Sequence, residues 1–339
     1  MSTSKDIVIL GIETSCDETS AAVLVNGNEL KSHIIASQIK THQKYGGVVP
    51  EIASREHCLH IGNVVKSALE EAGMGFADIS AVAVTYGPGL VGSLLVGVAG
   101  AKAIAYACGV PLIAVNHLEG HVYANFLEHK DIEFPVLALL VSGGHTNLLY
   151  FKEHLKYEVL GKTRDDAAGE AFDKISRTLG FGYPGGPYIE KKAKEGCPDA
   201  FKFPRAMLES GSLDFSFSGL KSSVLNTLNS AKMKEQVLNE NDIAASFQEA
   251  IADVLVKKSL LALNRVEANT FVLAGGVAAN SLIKNRVSEL AAKKNIKFVY
   301  PSSIFCTDNG AMIAMAGYYH YLSKNFSSWK LNAVPGLNL

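Results

Sequence analysis

The sequence predicts an α/β protein built of two related halves, and three observations carry that reading. The 339 residues exceed one ordinary core, since domains run to about 150 residues, and so about two units are expected. Apolar, β-rich runs alternate with stretches of helical period. One local pattern also occurs twice: an apolar strand enters a turn of small and polar residues and returns as a second strand, first after residue 12 and again after residue 141.

In chain order, the continuous apolar run 7–12 reads as a strand covered on both faces, and 21–25 returns after the polar turn 13–20. Residues 50–73 have helical periodicity, with Ile52, Leu59, Val64, Ala68 and Leu69 near one face, Pro50 at the head and Gly73 at the tail. Strand 81–85 then runs into Gly87-Pro88-Gly89. Residues 90–115 are almost wholly apolar or glycine and approach membrane-spanning length. Lys102 inside that stretch would cost about 2.5–3.5 kcal/mol on an insertion scale, and Pro111 breaks it. It therefore reads as a buried crossover helix followed by strand 112–115, with no membrane association. In the second half, strand 135–141 enters Ser142-Gly143-Gly144-His145 and 147–151 returns. Helix 242–263, strand 271–274 with Gly275-Gly276, and strand 298–300 complete it. The halves are placed at 1–130 and 131–339, and the last helix, about 310–324, is suited by its Ala and Met content to pack back on the first half.

Hydrophobic residues make up 48% and charged residues 19%, with mean hydropathy +0.15, which is ample apolar material for buried sheets and argues against disorder. A net charge of −1 and a pI of about 6.8 supply no global attraction for nucleic acid or an anionic membrane. Five scattered cysteines without a C-x-x-C pair fit a reducing compartment. Residues 1–6 lack the shape of a secretory signal, and a cytoplasmic protein is expected.

The chemistry concentrates in few places. In His117-Leu118-Glu119-Gly120-His121 the two histidines are one helical turn apart, separated by about 40° of rotation, so both imidazoles could grip one ion. Glu119 lies about 200° around the helix from His117, which removes the hydrolytic base that a zinc protease needs. Asp308, in Cys306-Thr307-Asp308-Asn309-Gly310, is the best third ligand, although an Asp just ahead of a helix commonly serves as its N-cap. Two nitrogens and one oxygen suit iron or zinc and leave positions open. His57 and His60 read as structural. Gly87-Pro88-Gly89, Ser142-Gly143-Gly144 and Gly275-Gly276 could each bring backbone N–H groups to an anion. The acidic loop 13–19 resembles the phosphate loop of actin-like nucleotide-binding proteins.

Several motifs occur jointly: the run 11–19, Tyr45-Gly46-Gly47-Val48-Val49-Pro50-Glu51, Gly87-Pro88-Gly89, the histidine pair, Leu140-Val141-Ser142-Gly143-Gly144-His145, the run 165–173, Tyr183-Pro184-Gly185-Gly186-Pro187 and the run 306–310. On these the chain resembles the TsaD family of tRNA threonylcarbamoyladenosine synthase subunits, from about residue 8 to about residue 317. The resemblance implies a duplicated actin-like fold of two RNase H-like domains, shared with acetate and sugar kinases, with the ligand between the halves. It implies transfer of threonylcarbamoyl from threonylcarbamoyl-AMP to N6 of adenosine 37 in tRNAs that read codons beginning with A, with release of AMP. By that analogy His117, His121 and Asp308 hold one divalent metal ion, iron foremost and zinc second. Leu140, Val141, Ser142, Gly143, Gly144, Asp173, Gly186 and Asn280 line the substrate site, and Glu190 stands where some relatives carry a ribose-contacting acid.

No general base is assigned; Asp17 and Glu13 are candidates by loop position alone. The basic residues Lys40, Lys44, Arg55, Lys202, Arg205 and Lys221 are dispersed, so partner proteins are expected to help hold tRNA. The resemblance supplies them as an inactive TsaB-type paralogue of the same fold and a small TsaE-type ATPase. The competing activity is an ATP-dependent kinase or ATPase of the same fold.

Overall fold

The computed structural model describes residues 6–208 and 211–339; residues 1–5, within the stretch read above for a secretory signal, lie outside them. The elements of the first half are β1 (Val8–Glu13), β2 (Glu18–Val25), β3 (Glu29–Ser37), α1 (Ile39–Gln43), α2 (Pro50–Glu71), β4 (Ala81–Gly87), α3 (Val91–Cys108), β5 (Leu112–Asn116) and α4 (His117–Glu128). Next come β6 (Val136–Val141), β7 (Thr146–Glu153), β8 (Lys156–Lys162), α5 (Ala168–Thr178), α6 (Gly185–Ala193), α7 (Ser218–Met233), α8 (Glu240–Leu263), β9 (Thr270–Ala274), α9 (Ser281–Lys293) and β10 (Lys297–Val299). The chain closes with α10 (Ser303–Cys306) and α11 (Gly310–Leu322).

Two compact units result: Ile132–Ser302 forms one, and the chain on either side of it forms the other. The segment from Ser303 onward, numbered with the second half in the sequence reading but with its last helix expected to pack back on the first, belongs to the first unit. The reason is packing. Residues 310–317 of α11 are all buried and small or flexible enough to lie directly on β1 and α4. Gly11 permits the approach, since a Cβ there would fall 2.3 Å from Gly310 O.

The first unit's sheet runs β3-β2-β1-β4-β5, with β1 antiparallel to β2 and parallel to β4, and β4 parallel to β5. Leu10, Ile12, Val23 and Val84 of the sheet pack with Val64 and Ala68 of α2 and Val98 and Ala101 of α3 on one face. α3, although long and apolar enough to cross a membrane, is the crossover between parallel β4 and β5, and it ends at Gly109 in a left-handed conformation. β2 begins three residues earlier than the sequence pattern suggests. Its polar residues Thr19 and Ser20 are buried but satisfied, by His57 Nδ1 at 2.7 Å and by Ile34 O at 2.7 Å.

The second unit's sheet runs β8-β7-β6-β9-β10, again with two antiparallel strands on one side of the first strand and two parallel strands on the other. Order and directions therefore repeat those of the first unit, as a duplicated fold requires. α8 is buried along most of its length against α6, α7 and α9, with Phe247 meeting Phe172 of α5 edge-on at 5.5 Å. The five cysteines are free thiols.

Candidate functional site

All three metal candidates lie in the first unit. α4 starts directly after β5 because Asn116 caps it, Oδ1 accepting from Leu118 N at 2.9 Å, which places His117 in the first helical turn and His121 one turn on. Their rings stand 4.6 Å apart at 76°. Asp308 Oδ1 lies 3.4 Å from His117 Nε2 and 3.2 Å from His121 Nε2, and one ligand atom from each residue falls within 4.8 Å of the others. The capping role that an Asp ahead of a helix would ordinarily take is filled by Asn309, whose Oδ1 accepts from Met312 N at 2.9 Å. Asp308 is thereby spared to face the histidines.

The surroundings fit a cation. His121 is 1% exposed, and neither ring nitrogen has a hydrogen-bond partner, the approach of Asp308 not being aligned as a hydrogen bond. Such burial is costly unless something else satisfies Nε2, which an ion among the three ligands would do. Burial pushes the His117 imidazole down, but the Asp308 and Glu13 carboxylates outweigh it and hold its pKa up to about 9.

Glu13, one of the two base candidates by loop position, sits beside His117. It is fully buried; Oε2 lies 3.2 Å from His117 Nδ1 and accepts from Thr85 Oγ1 at 2.5 Å, while Oε1 accepts from Ser15 N at 2.5 Å. A carboxylate on Nδ1 fixes the ring and leaves Nε2 on the side of Asp308, an arrangement in which Glu13 would orient His117 as a metal ligand. Burial and the neighbouring Asp308 raise Asp17, and burial with Asp17 raises the Cys16 thiol well above its ordinary value. Glu119 points away as the helical arithmetic requires: its Oε1 meets His320 Nε2 on α11 at 2.9 Å. His57 is structural, its Nε2 donating to Cys16 O at 2.9 Å so that Nδ1 accepts from Thr19, which pins the loop between β1 and β2.

The substrate-site candidates all lie in the second unit, where contacts join them into a ring at the C-terminal ends of β6 and β9. Leu140 and Val141 end β6, and Ser142-Gly143-Gly144 is the turn to β7. Gly169 of α5 packs against that turn, and Gly275 packs against Val141 O at φ +88°. Asp173 of α5 reaches the start of α6, Oδ1 accepting from Gly185 N at 2.6 Å. Glu190 of α6 accepts from Ser281 N at 3.1 Å and from the Ser281 hydroxyl. Asn280 caps α9 through Ile283 N at 3.1 Å and donates Nδ2 to Gln248 at 2.8 Å. Space beside Gly143, Gly144, Gly186 and Gly276 is open, with no atom within 4 Å of where a Cβ would sit. The N-cap residues of α5 and α6, Ala167 and Pro184, give no side-chain cap, and the first N–H of each helix is held from another element instead, Ala168 N by Thr146 Oγ1 at 3.0 Å and Gly185 N by Asp173. Gly275 belongs to the Gly275-Gly276 turn marked in the sequence, whereas nothing there marked Ser281, and Gly169 was marked only by lying inside the motif 165–173.

Comparison with known proteins decides between the activities such a fold can host. The TsaD family, described as tRNA N6-adenosine threonylcarbamoyltransferase, matches residues 29–315. The chain belongs to this family. A relative from Desulfitobacterium hafniense (strain Y51) that carries the same description is 71% identical over 336 residues, 99% of this chain and 98% of the relative. Another, from Clostridioides difficile (strain 630), is 56% identical over 98% of this chain and 99% of the relative. Among solved structures, (R)-2-hydroxyglutaryl-CoA dehydratase component A from Acidaminococcus fermentans superposes with a TM-score of 0.53 at 15% identity, over 94% of this chain and 99% of that one. HypF from T. kodakarensis does so with a TM-score of 0.63 at 14% identity, over 97% of this chain and 49% of that one. Identities this low speak to the fold alone, which is the duplicated actin-like α/β fold. TsaD-family membership supports a transferase and leaves the kinase alternative without support.

Proposed function

We infer that this chain transfers the threonylcarbamoyl group of threonylcarbamoyl-AMP to N6 of adenosine 37 in tRNAs reading codons that begin with A. The observation that carries this is 71% identity along 99% of the chain to a relative of that description. In the reaction N6 attacks the carbamoyl carbon, the bond from that carbon to the phosphate oxygen breaks, AMP leaves with the electron pair, and N6 gives up a proton.

N6 is a weak nucleophile because its lone pair is delocalised into the purine, so placement and polarisation of the carbonyl must supply the rate. His117, His121 and Asp308 would hold a divalent ion, iron or alternatively zinc, which as a Lewis acid stabilises developing negative charge on oxygen. Glu13 and Ser15 keep the His117 ring turned for that duty. The open space beside Gly143 and Gly144 suits phosphate or carboxylate oxygens, while Asp173, Gly186, Glu190 and Asn280 shape the adenylate end of the site. tRNA is the acceptor. An inactive paralogue of the same fold and a small ATPase assist in the cytoplasm, in keeping with the near-neutral charge of this chain. The apolar side chains Leu59 on α2 and Val91, Leu95 and Tyr106 on α3 are exposed and offer a surface for such a partner.

The test is reconstitution: purified chain, both partners, unmodified tRNA and threonylcarbamoyl-AMP, followed by nucleoside analysis of the tRNA. Threonylcarbamoyladenosine should appear only when the chain is present. Its absence with verified substrates and partners would overturn the assignment.

A further inference from the structure

We infer that the C-terminal strap, residues 325–338, is a positioning element for the metal helix: it braces His117 along two routes, and the divalent-ion affinity of the site depends on it. This rests on His117, His121 and Asp308 being metal ligands.

Beyond α11 the chain runs back along unit 1 without regular structure. Ser327 N donates to Leu112 O at 2.8 Å and Ser327 Oγ accepts from Ala114 N at 3.0 Å, so the strap pairs with the edge of β5. Trp329 meets Tyr106 edge-on at 5.7 Å, and Leu331 packs on the core. Val334 N donates to Tyr86 O at 2.8 Å, Leu337 N closes a turn on Val334 O at 3.1 Å, and Pro335 O accepts from Gly89 N at 3.1 Å. Asn338 O accepts from Asn116 Nδ2 at 3.3 Å.

The first route to His117 is through Asn116. Its Oδ1 caps α4 while its Nδ2 is held by Asn338 O, so the strap fixes the side chain that starts the helix at His117. The second route is through the turn after β4. Pro335 O holds Gly89, the next residue Leu90 donates N–H to Ser15 O at 2.8 Å, and Ser15 Oγ lies 3.1 Å from His117 Nδ1. Gly87 makes this docking possible, since a Cβ there would fall 2.1 Å from Val334 O and 2.9 Å from Leu337 Cβ. From Val334 onward every one of the strap's hydrogen bonds is made by its backbone, so its path and not its side chains carries the effect.

The experiment is titration of the metal-free full-length chain with Co²⁺, read by its visible ligand-field bands and by competition, beside the melting temperature of each metal-free protein. The variants are Gly87→Ala, which evicts the strap, Asn116→Ser, which keeps a capping oxygen but cannot span to Asn338 O, and a chain ending at Asn332. Gly87→Ala and the shortened chain should bind Co²⁺ about tenfold more weakly with changed band intensities, and Asn116→Ser should weaken it in the same direction. Val334→Ala should bind as the parent does. If Gly87→Ala and Asn116→Ser melt lower yet bind Co²⁺ with the parent's affinity and spectrum, the strap is merely structural and the inference falls. Co²⁺ binding that survives His121→Ala would instead overturn the metal reading, and this inference with it.

Discussion

Gly169→Ala would test whether the turn at Ser142-Gly143-Gly144 is part of the reacting machinery. Gly169 lies in the first turn of α5, and a Cβ there would sit 2.4 Å from Ser142 O and 2.8 Å from Gly143 Cα. Ordinary contact begins near 3.4 Å, so the turn must retreat by about 1 Å or α5 must yield by a similar distance. Overpacking of this kind costs about 1–3 kcal/mol of stability, which a chain of this size tolerates, whereas a displacement of about 1 Å in a positioning group can cost about 100-fold in rate. Alanine itself is a better helix former than glycine, so any loss comes from the contact and not from the helix. The assay is threonylcarbamoyl transfer to tRNA under saturating donor, with the melting temperature measured on the same preparation. The expected result is a folded protein, melting a few degrees lower at most, whose turnover falls by about two orders of magnitude. Full turnover in a stably folded Gly169→Ala protein would refute the placement of this turn beside the reacting atoms.

Other expectations follow from the same geometry. His121→Ala and Asp308→Asn should each cut divalent-ion affinity by at least about 100-fold while leaving the circular dichroism of the chain unchanged, because each removes one of three ligands; metal retention by both variants after dialysis would rule the site out. Burial raises the Glu18 carboxyl from 4.5 to about 8, the Ser37 hydroxyl pulling it down and Asp17 and Asp308 pushing it up. The folded state therefore holds that proton more tightly than the unfolded chain, so metal-free stability should decline between about pH 4.5 and pH 8 and level off above. Glu18→Gln should lack that decline, and parallel denaturation profiles of variant and parent across the range would exclude it. Gly62 sits inside α2 with no atom within 4 Å of a Cβ position, so Gly62→Ala should stabilise the isolated chain by about 0.5–1 kcal/mol in urea denaturation; a lower midpoint would mean the α2 backbone is constrained there.

Features that depend on local period and local chemistry were legible in the sequence. Apolar runs marked β1, β4, β6 and β9 because these strands are covered on both faces and need no alternation to be recognised. The spacing of His117 and His121 and the direction of Glu119 followed from helical rotation alone, and Glu119 does turn to His320. The edge strands β3 and β8 were not visible, since their faces mix polar and apolar residues and pairing rather than composition makes them strands. Only tertiary structure could decide that Asp308, almost two hundred residues from His117, stands beside it, that Asn309 relieves it of capping, and that Glu13 pairs with His117. The path of the strap along the first unit belongs to the same class, whereas the return of α11 was foreshadowed by its Ala and Met content. Such facts depend on which surfaces fill one another across the chain, and that is settled by burial and hydrogen-bond satisfaction summed over the whole unit, a quantity no local stretch of sequence contains.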